Sequence, residues 1–200
     1  MGNNFSQASV PQYLDVQSLR GAIARAGDVA KGCRFAVVIQ PNGGKILNLI
    51  PRDLIYMCES VEFPGRGFDV TQIRYWGAGQ VFPNNTLYET SNMSFICRQD
   101  SVERAFFDNW MDIINPTTSF TFEYPENYYA TIQIFHLSEV GGPIDPSTRQ
   151  PSYQGIYGWS LYKAWPTLIA PQQVTWADQD ILRLQVTLTY KYWDRPDYNP

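Results

Sequence analysis

Residues 182–192 constrain this chain most tightly, because apolar and polar side chains alternate there without a break. Leu182, Leu184, Val186, Leu188, Tyr190 and Tyr192 fall on one side of an extended backbone, with Arg183, Gln185, Thr187, Thr189 and Lys191 on the other. A period of two with one wet face predicts an antiparallel strand half buried against a core. Such a core needs apolar material, and the chain has it: 44% of its 200 residues are hydrophobic, 15% aromatic and only 17% charged. That length fits one ordered domain.

The other elements follow from pattern and punctuation. Leu14, Leu19, Ala22, Ile23, Ala26 and Val29 sit at near-helical spacing, predicting a short helix over 14–30. The run 34–39 predicts a strand, Pro41-Asn42-Gly43-Gly44 a hairpin turn, and 54–63 a second strand ending at the turn Pro64-Gly65-Arg66-Gly67. Between 68 and 98, β-prone runs alternate with turns at Gly77-Ala78-Gly79 and Pro83-Asn84-Asn85. A helix follows, with Asp100 as its cap, Glu103 as the third residue of a capping box, and Val102, Phe106, Phe107, Trp110, Ile113 and Ile114 on one face. Asn115-Pro116 ends it. Phe120, Phe122 and Tyr124 alternate like a strand, as do residues 131–136. Residues 140–155, rich in Gly, Pro, Ser and Gln, predict an exposed loop.

With neither a repeat nor a dividing linker, the chain reads as an N-terminal extension with a short helix (1–32) and one domain (33–200). The fold class is mainly β with α (α+β): two packed antiparallel sheets forming a small barrel or sandwich, flanked by one main helix.

Chemistry is harder to find. Fifteen basic against 19 acidic side chains, with no basic run, argue against tight nucleic-acid binding. Cys33, Cys58 and Cys97 lack any CxxC spacing, which predicts free thiols and neither a disulfide framework nor a metal site. No stretch reaches the ~18 apolar residues of a membrane helix. The opening Met1-Gly2-Asn3-Asn4-Phe5-Ser6 lacks the marks of a secretory signal and matches a myristoylation pattern only weakly.

The single histidine, His136, lies in a strand pattern and reads as packed, which leaves a nucleophile without a base. Asn42-Gly43-Gly44-Lys45 fails as a phosphate loop, because the earlier glycine is Ile39 and no Ser or Thr follows the lysine. Of the carboxylate pairs that acid–base hydrolysis would need, Asp178 with Asp180 fits a turn better, and Glu59 with Glu62 rests on proximity alone. Neither enzyme activity nor a cofactor is expected. Six Trp and 13 Tyr leave a carbohydrate-binding β-sandwich as an alternative of another class.

Three segments in order carry a resemblance: Leu161-Tyr162-Lys163-Ala164-Trp165-Pro166-Thr167, then Pro171-Gln172-Gln173-Val174-Thr175-Trp176-Ala177-Asp178, then the alternating strand closing on Tyr190-Lys191-Tyr192-Trp193. With Cys58-Glu59-Ser60-Val61-Glu62-Phe63-Pro64-Gly65 and the helix from Glu103 to Trp110, this succession resembles the tail tube proteins of contractile-tailed phages over most of 33–193. The resemblance implies a structural subunit of the virion, made in the host cytoplasm, six copies closing a ring and rings stacking into a hollow tube. Its implied partners are further copies, the sheath, tape-measure, baseplate and tail terminator proteins, with DNA passing through unheld. A tube-initiating or tube-capping baseplate protein of the same fold is the alternative within the family.

A ring would cover sheet edges that are otherwise a liability. On this reading Phe35, Val37, Ile39, Leu184, Val186 and Leu188 are candidate inter-subunit edges. Glu59, Glu62, Asp178 and Asp180 are candidate acidic residues of the lumen or of an interface.

Overall fold

The computed structural model describes residues 17, 20–21, 23, 29–42, 45–46, 49–137, 155–177 and 180–195, side chains at 155 and 156 excepted. The chain divides into two compact units, Met1–Cys33 and Arg34–Pro200. In the first, Gln17, Arg20, Gly21 and Ile23 are helical, inside the expected helix, while Leu14, Leu19, Ala22 and Ala26 lie outside the described residues.

The second unit is built in the order β1 (Phe35–Pro41), α1 (Leu54–Met57), β2 (Cys58–Val61), β3 (Arg66–Ile73), β4 (Gln80–Tyr88), β5 (Ser91–Ile96), α2 (Val102–Ile114), α3 (Pro125–Tyr128), β6 (Ala130–Leu137), β7 (Gly155–Ile169), β8 (Arg183–Thr189) and β9 (Tyr192–Asp194). The hydrogen-bonded path runs β1-β6-β7-β8-β5-β2, with β9 on β7 and β3–β4 as a separate two-stranded sheet.

The 15-residue β7 serves two sheets. Its first part pairs with β6 and β9, and Trp165–Ile169 pairs with β8. The change falls between Ala164, still paired with β6, and Trp165, just after Lys163, whose φ of 55° bends the strand at a corner between packed sheets. We call β1-β6-β7-β9 the first sheet and β7-β8-β5-β2 the second. They make an antiparallel sandwich, and the barrel stays open because β1 and β2 end the path.

The core draws on both sheets and on α2: Ile132 and Ile134 from β6, Leu161 from β7, Leu184, Val186 and Leu188 from β8, Met93 and Phe95 from β5, and Phe106, Phe107 and Trp110 from the helix. Phe107 meets Phe95 with ring centroids 5.0 Å apart. Trp110, with no exposed surface, donates its indole N–H to the Tyr128 carbonyl at 2.9 Å. Every residue of the predicted helix face is buried or half-buried.

Several expectations are corrected. β1 is not the first arm of a hairpin through Pro41–Gly44, because it pairs with β6, more than ninety positions on in its outer register (Phe35 with His136); Gly43 and Gly44 themselves lie outside the described residues. The predicted strand 54–63 begins as the helical turn α1 and becomes strand only at Cys58. Pro83-Asn84-Asn85 is no turn but lies within β4, where the register jumps from Asn85 to Pro83 and Asn84 bulges out. Proline is tolerated there because a bulge on an unshared edge needs no ladder donor. The turn expected at Gly77-Ala78-Gly79 falls in the connection between β3 and β4, and Gly77 supplies its positive φ of 70°.

The cap of α2 also differs. Ser101, at a left-handed φ of 51°, holds the cap position without a side-chain bond. Glu103 is fully buried and turns to Arg98, accepting its backbone N–H at 3.1 Å and its Nε–H at 2.6 Å. Arg98 in turn reaches Asp53 at 3.1 Å. Burial opposes the charge on Glu103, but backbone N–H groups and Arg98 overcome it and hold the carboxyl below its usual pKa. A carboxylate turned inward needs such a partner, because a buried charge left unpaired is costly.

Phe120, Phe122 and Tyr124 form no strand; all three are exposed on an irregular segment after α2. The long last strand breaks after Thr189, so Tyr192 belongs to β9 and is exposed. The predicted loop at 140–155 falls outside the described residues up to 154.

Candidate assembly interface

The β3–β4 hairpin is the most unusual surface of the protein. Two-stranded ribbons are marginally stable alone, yet this one carries apolar side chains on both faces and buries almost none of them. The register puts Phe68, Val70, Val81 and Pro83 on one face and Ile73, Phe82 and Leu87 on the other. Tyr75 and Trp76 crown the turn, Trp76 with 93% of its surface exposed. At the base, the Arg66 guanidinium lies 5.4 Å from the Phe68 ring and 5.9 Å from that of Tyr88. An exposed apolar patch of this kind on an ordered element marks a contact surface.

Two further aromatic surfaces stand out. Phe120, Phe122 and Tyr124 point outward from a segment pinned by Glu123, whose N–H donates to the Ile114 carbonyl at 3.0 Å and whose carboxylate takes Asn127 at 2.8 Å and Lys45 at 2.5 Å. The bond from Lys45 is the main cause that lowers the Glu123 pKa. The β7–β8 connection carries Val174, Ile181 and a fully exposed Trp176.

The outer face of the second sheet is different in kind. Asn92 stands opposite Thr187 and Ser94 opposite Gln185. Thr187 donates to Asn92 Oδ1 at 2.8 Å, and Thr167 and Thr189 share a hydroxyl hydrogen bond. Hydroxyls and amides thus cover a sheet surface with almost no net charge.

The expected site residues distribute unevenly over these surfaces. Phe35, Val37 and Ile39 lie on β1, a terminal strand of the path, with Val37 and Ile39 buried in the core. Leu184, Val186 and Leu188 do not lie on an edge. β8 is paired by β5 on one side and β7 on the other, and all three side chains are buried. The strongest strand in the sequence is central because an unbroken alternation packs best where both neighbours are present.

Of the acids, Glu59 binds Arg183 at 2.7 Å, a bond that raises the arginine's pKa. Glu62 accepts from the Asn92 side chain at 2.7 Å. Asp180 is exposed beside the β7–β8 connection, and Asp178 lies outside the described residues. Glu59 and Glu62 therefore flank the neutral face, tied into it by hydrogen bonds.

Among the described residues no three His, Cys, Asp or Glu side chains gather as a metal site, and no helix is long and apolar enough to cross a membrane. Cys58, pushed up to about 12 by burial, is a poor nucleophile. Four of the six tryptophans pack in or against the core. The exposed pair, Trp76 and Trp176, sit on separate connections.

A sandwich with open edges, apolar projections and a neutral polar face is the surface set of a structural protomer made to be covered by other chains. The phage tail tube protein family profile matches residues 30–195, and the chain belongs to that family. It is a structural tail tube protein, a component of a phage-type tail. No curated protein matches it in sequence.

Among solved structures it is similar to a chain of the anti-feeding prophage (AFP) baseplate, with a TM-score of 0.60 and 16% identity, covering 84% of this chain and 95% of that one. It is also similar to a chain of the PVC sheath–tube complex of an extracellular contractile injection system in the extended state, with a TM-score of 0.58, 15% identity and coverage of 84% and 90%. The AFP tube-terminating cap gives 0.56, 15%, 84% and 90%. At these identities the likeness establishes the fold.

Proposed function

We propose that the protein builds the bulk of a tail tube as rings of six copies, stacked into a conduit through which DNA passes without being held. The observation that carries this reading is the β3–β4 hairpin: an ordered projection with apolar side chains on both faces requires another chain around it, and a stacked ring supplies one. The open edges at β1 and β2 are the surfaces through which neighbours in a ring would pair, by strand addition. The similar fold in a baseplate structure averaged with sixfold symmetry favours six copies.

The hydroxyl and amide face of the second sheet would line the lumen. With Glu59 neutralised by Arg183 and no basic cluster there, phosphates find no cations to exchange for their counterions, and DNA slides past. The sheath, baseplate, tape-measure and terminator proteins would be its partners, and the subunit itself would carry out no catalysis.

The test is native mass spectrometry of the purified protein beside a Phe68→Ser, Trp76→Ser, Phe82→Ser variant. The reading expects six-copy rings and larger multiples for the wild type, and folded protein without the larger multiples for the variant. A monomeric wild type would overturn it.

A further inference from the structure

We infer that the β7–β8 connection is the socket that receives the hairpin tip of the next copy, through Trp76 packing on Val174, Trp176 and Ile181 and through Arg74 pairing with Asp180. The inference rests on the stacked-tube reading and adds the acceptor to it.

The strand register places the two surfaces at opposite ends of the second sheet. The hairpin joins the sheet where β5 begins, at Ser91 opposite Leu188. The β7–β8 connection leaves Ile169 and returns at Arg183, which stands opposite Ile96 where β5 ends. An open stack requires two different patches, each complementary to the other, facing opposite ways; a patch that matches only itself closes a dimer and stops. This chain carries one exposed apolar surface at each end of the sheet.

Their chemistry matches. From Val70 to Tyr88 the only charged side chain is Arg74, two positions before Trp76. Described residues of the connection, Gln172, Thr175, Asp180 and Ile181 among them, line an open groove of about 550 Å³ together with Arg183. Arg183 is held by Glu59 at 2.7 Å and also feels the Asp180 carboxylate, so two acids face one base there and the groove carries net negative charge. Trp176 has its whole surface exposed. A tryptophan anchor meeting the exposed side chains of Val174, Trp176 and Ile181 at the rim of a polar groove, beside an opposite charge, is the composition of an interface hot spot.

Electron microscopy of wild type, Arg74→Glu, Asp180→Arg and the double variant tests the pairing. Each single reversal should raise the concentration needed for tube growth by about tenfold or more while rings persist, a change equal to about 1.4 kcal/mol. The double variant should recover most of that loss. Single variants that grow tubes like wild type, or a folded double variant without recovery, overturn the inference and leave the tube reading standing.

A second measurement does not depend on charge. In a Cys33→Ser background, Trp76→Cys protein mixed with Val174→Cys protein should form a heterologous disulfide between copies under mild oxidation. Its absence in assembled tubes overturns the inference. A wild type that forms neither rings nor tubes overturns both this inference and the reading beneath it.

Discussion

Replacing Trp110 by alanine tests where the core lies. The side chain is fully buried, touches Phe106 and Phe107 at centroid distances of 5.6 and 6.3 Å, and donates to the Tyr128 carbonyl at 2.9 Å. Truncating a buried aromatic costs about 3–5 kcal/mol, and the carbonyl left without its donor adds about 1, for about 4–6 kcal/mol in all. A domain's whole stability is about 5–15 kcal/mol. With a urea slope of about 2–3 kcal/mol per molar, the midpoint should fall by about 2 M, or the variant should fail to fold. Trp110→Phe keeps a ring and loses the donor, and should fall between alanine and wild type. The assay is urea unfolding of dilute, unassembled subunit, because assembly would add stability by mass action. A midpoint shift of the alanine variant below about 0.5 M would refute the assignment of α2 to the core.

Proline separates edge from centre: Val186→Pro, in a strand paired on both sides, should unfold the subunit at a cost of about 3 kcal/mol or more, whereas Ile39→Pro, which loses a buried side chain on a terminal strand, should leave a weakened but folded subunit that cannot close rings. Circular dichroism with sedimentation distinguishes the two, and normal ring formation by folded Ile39→Pro would remove β1 from the interface. Acid should weaken the subunit through Glu103. Its folded pKa lies below the unfolded value of about 4.3, so its stabilisation is present above that pH and is lost as pH falls through the folded value. Thermal unfolding from pH 7 to 3 should show this loss, reduced in Glu103→Gln; identical profiles for the two would contradict it. Assembled tubes should not bind short duplex DNA at low salt, where attraction is strongest, and micromolar, salt-sensitive binding by fluorescence anisotropy would refute the neutral conduit.

The sequence made legible what depends on local pattern. The face of α2, the core strand from Leu184 to Leu188 and the alternation in β6 all follow from a period of 3.6 or 2 set against a core, and the family resemblance rested on segments of the same region. What it could not convey was which strands neighbour which. β1 finds β6 from Pro41 opposite Ala130 to Phe35 opposite His136, far along the chain, and no turn signal at Pro41–Gly44 reports that. Phe120, Phe122 and Tyr124 alternate as a buried strand would, but the backbone between α2 and α3 meets no partner strand, so the same pattern exposes all three. The neutral face of the second sheet was hidden for a similar reason, since Asn92, Thr187, Ser94 and Gln185 become neighbours only through the β5–β8 register. The hairpin was foreshadowed by Gly77-Ala78-Gly79 between two β-prone runs. Its exposure was not, because a charge-poor, apolar ribbon reads from sequence as core. A single cation, Arg74, across nineteen residues from Val70 to Tyr88 was a clue to a covered surface.

Electron microscopy of the purified protein shows whether this chain assembles with itself. A tail tube subunit should form six-membered rings with a central hole, growing into hollow tubes of regular repeat as concentration rises. Dispersed monomers at high concentration, with native circular dichroism and no rings, would contradict it.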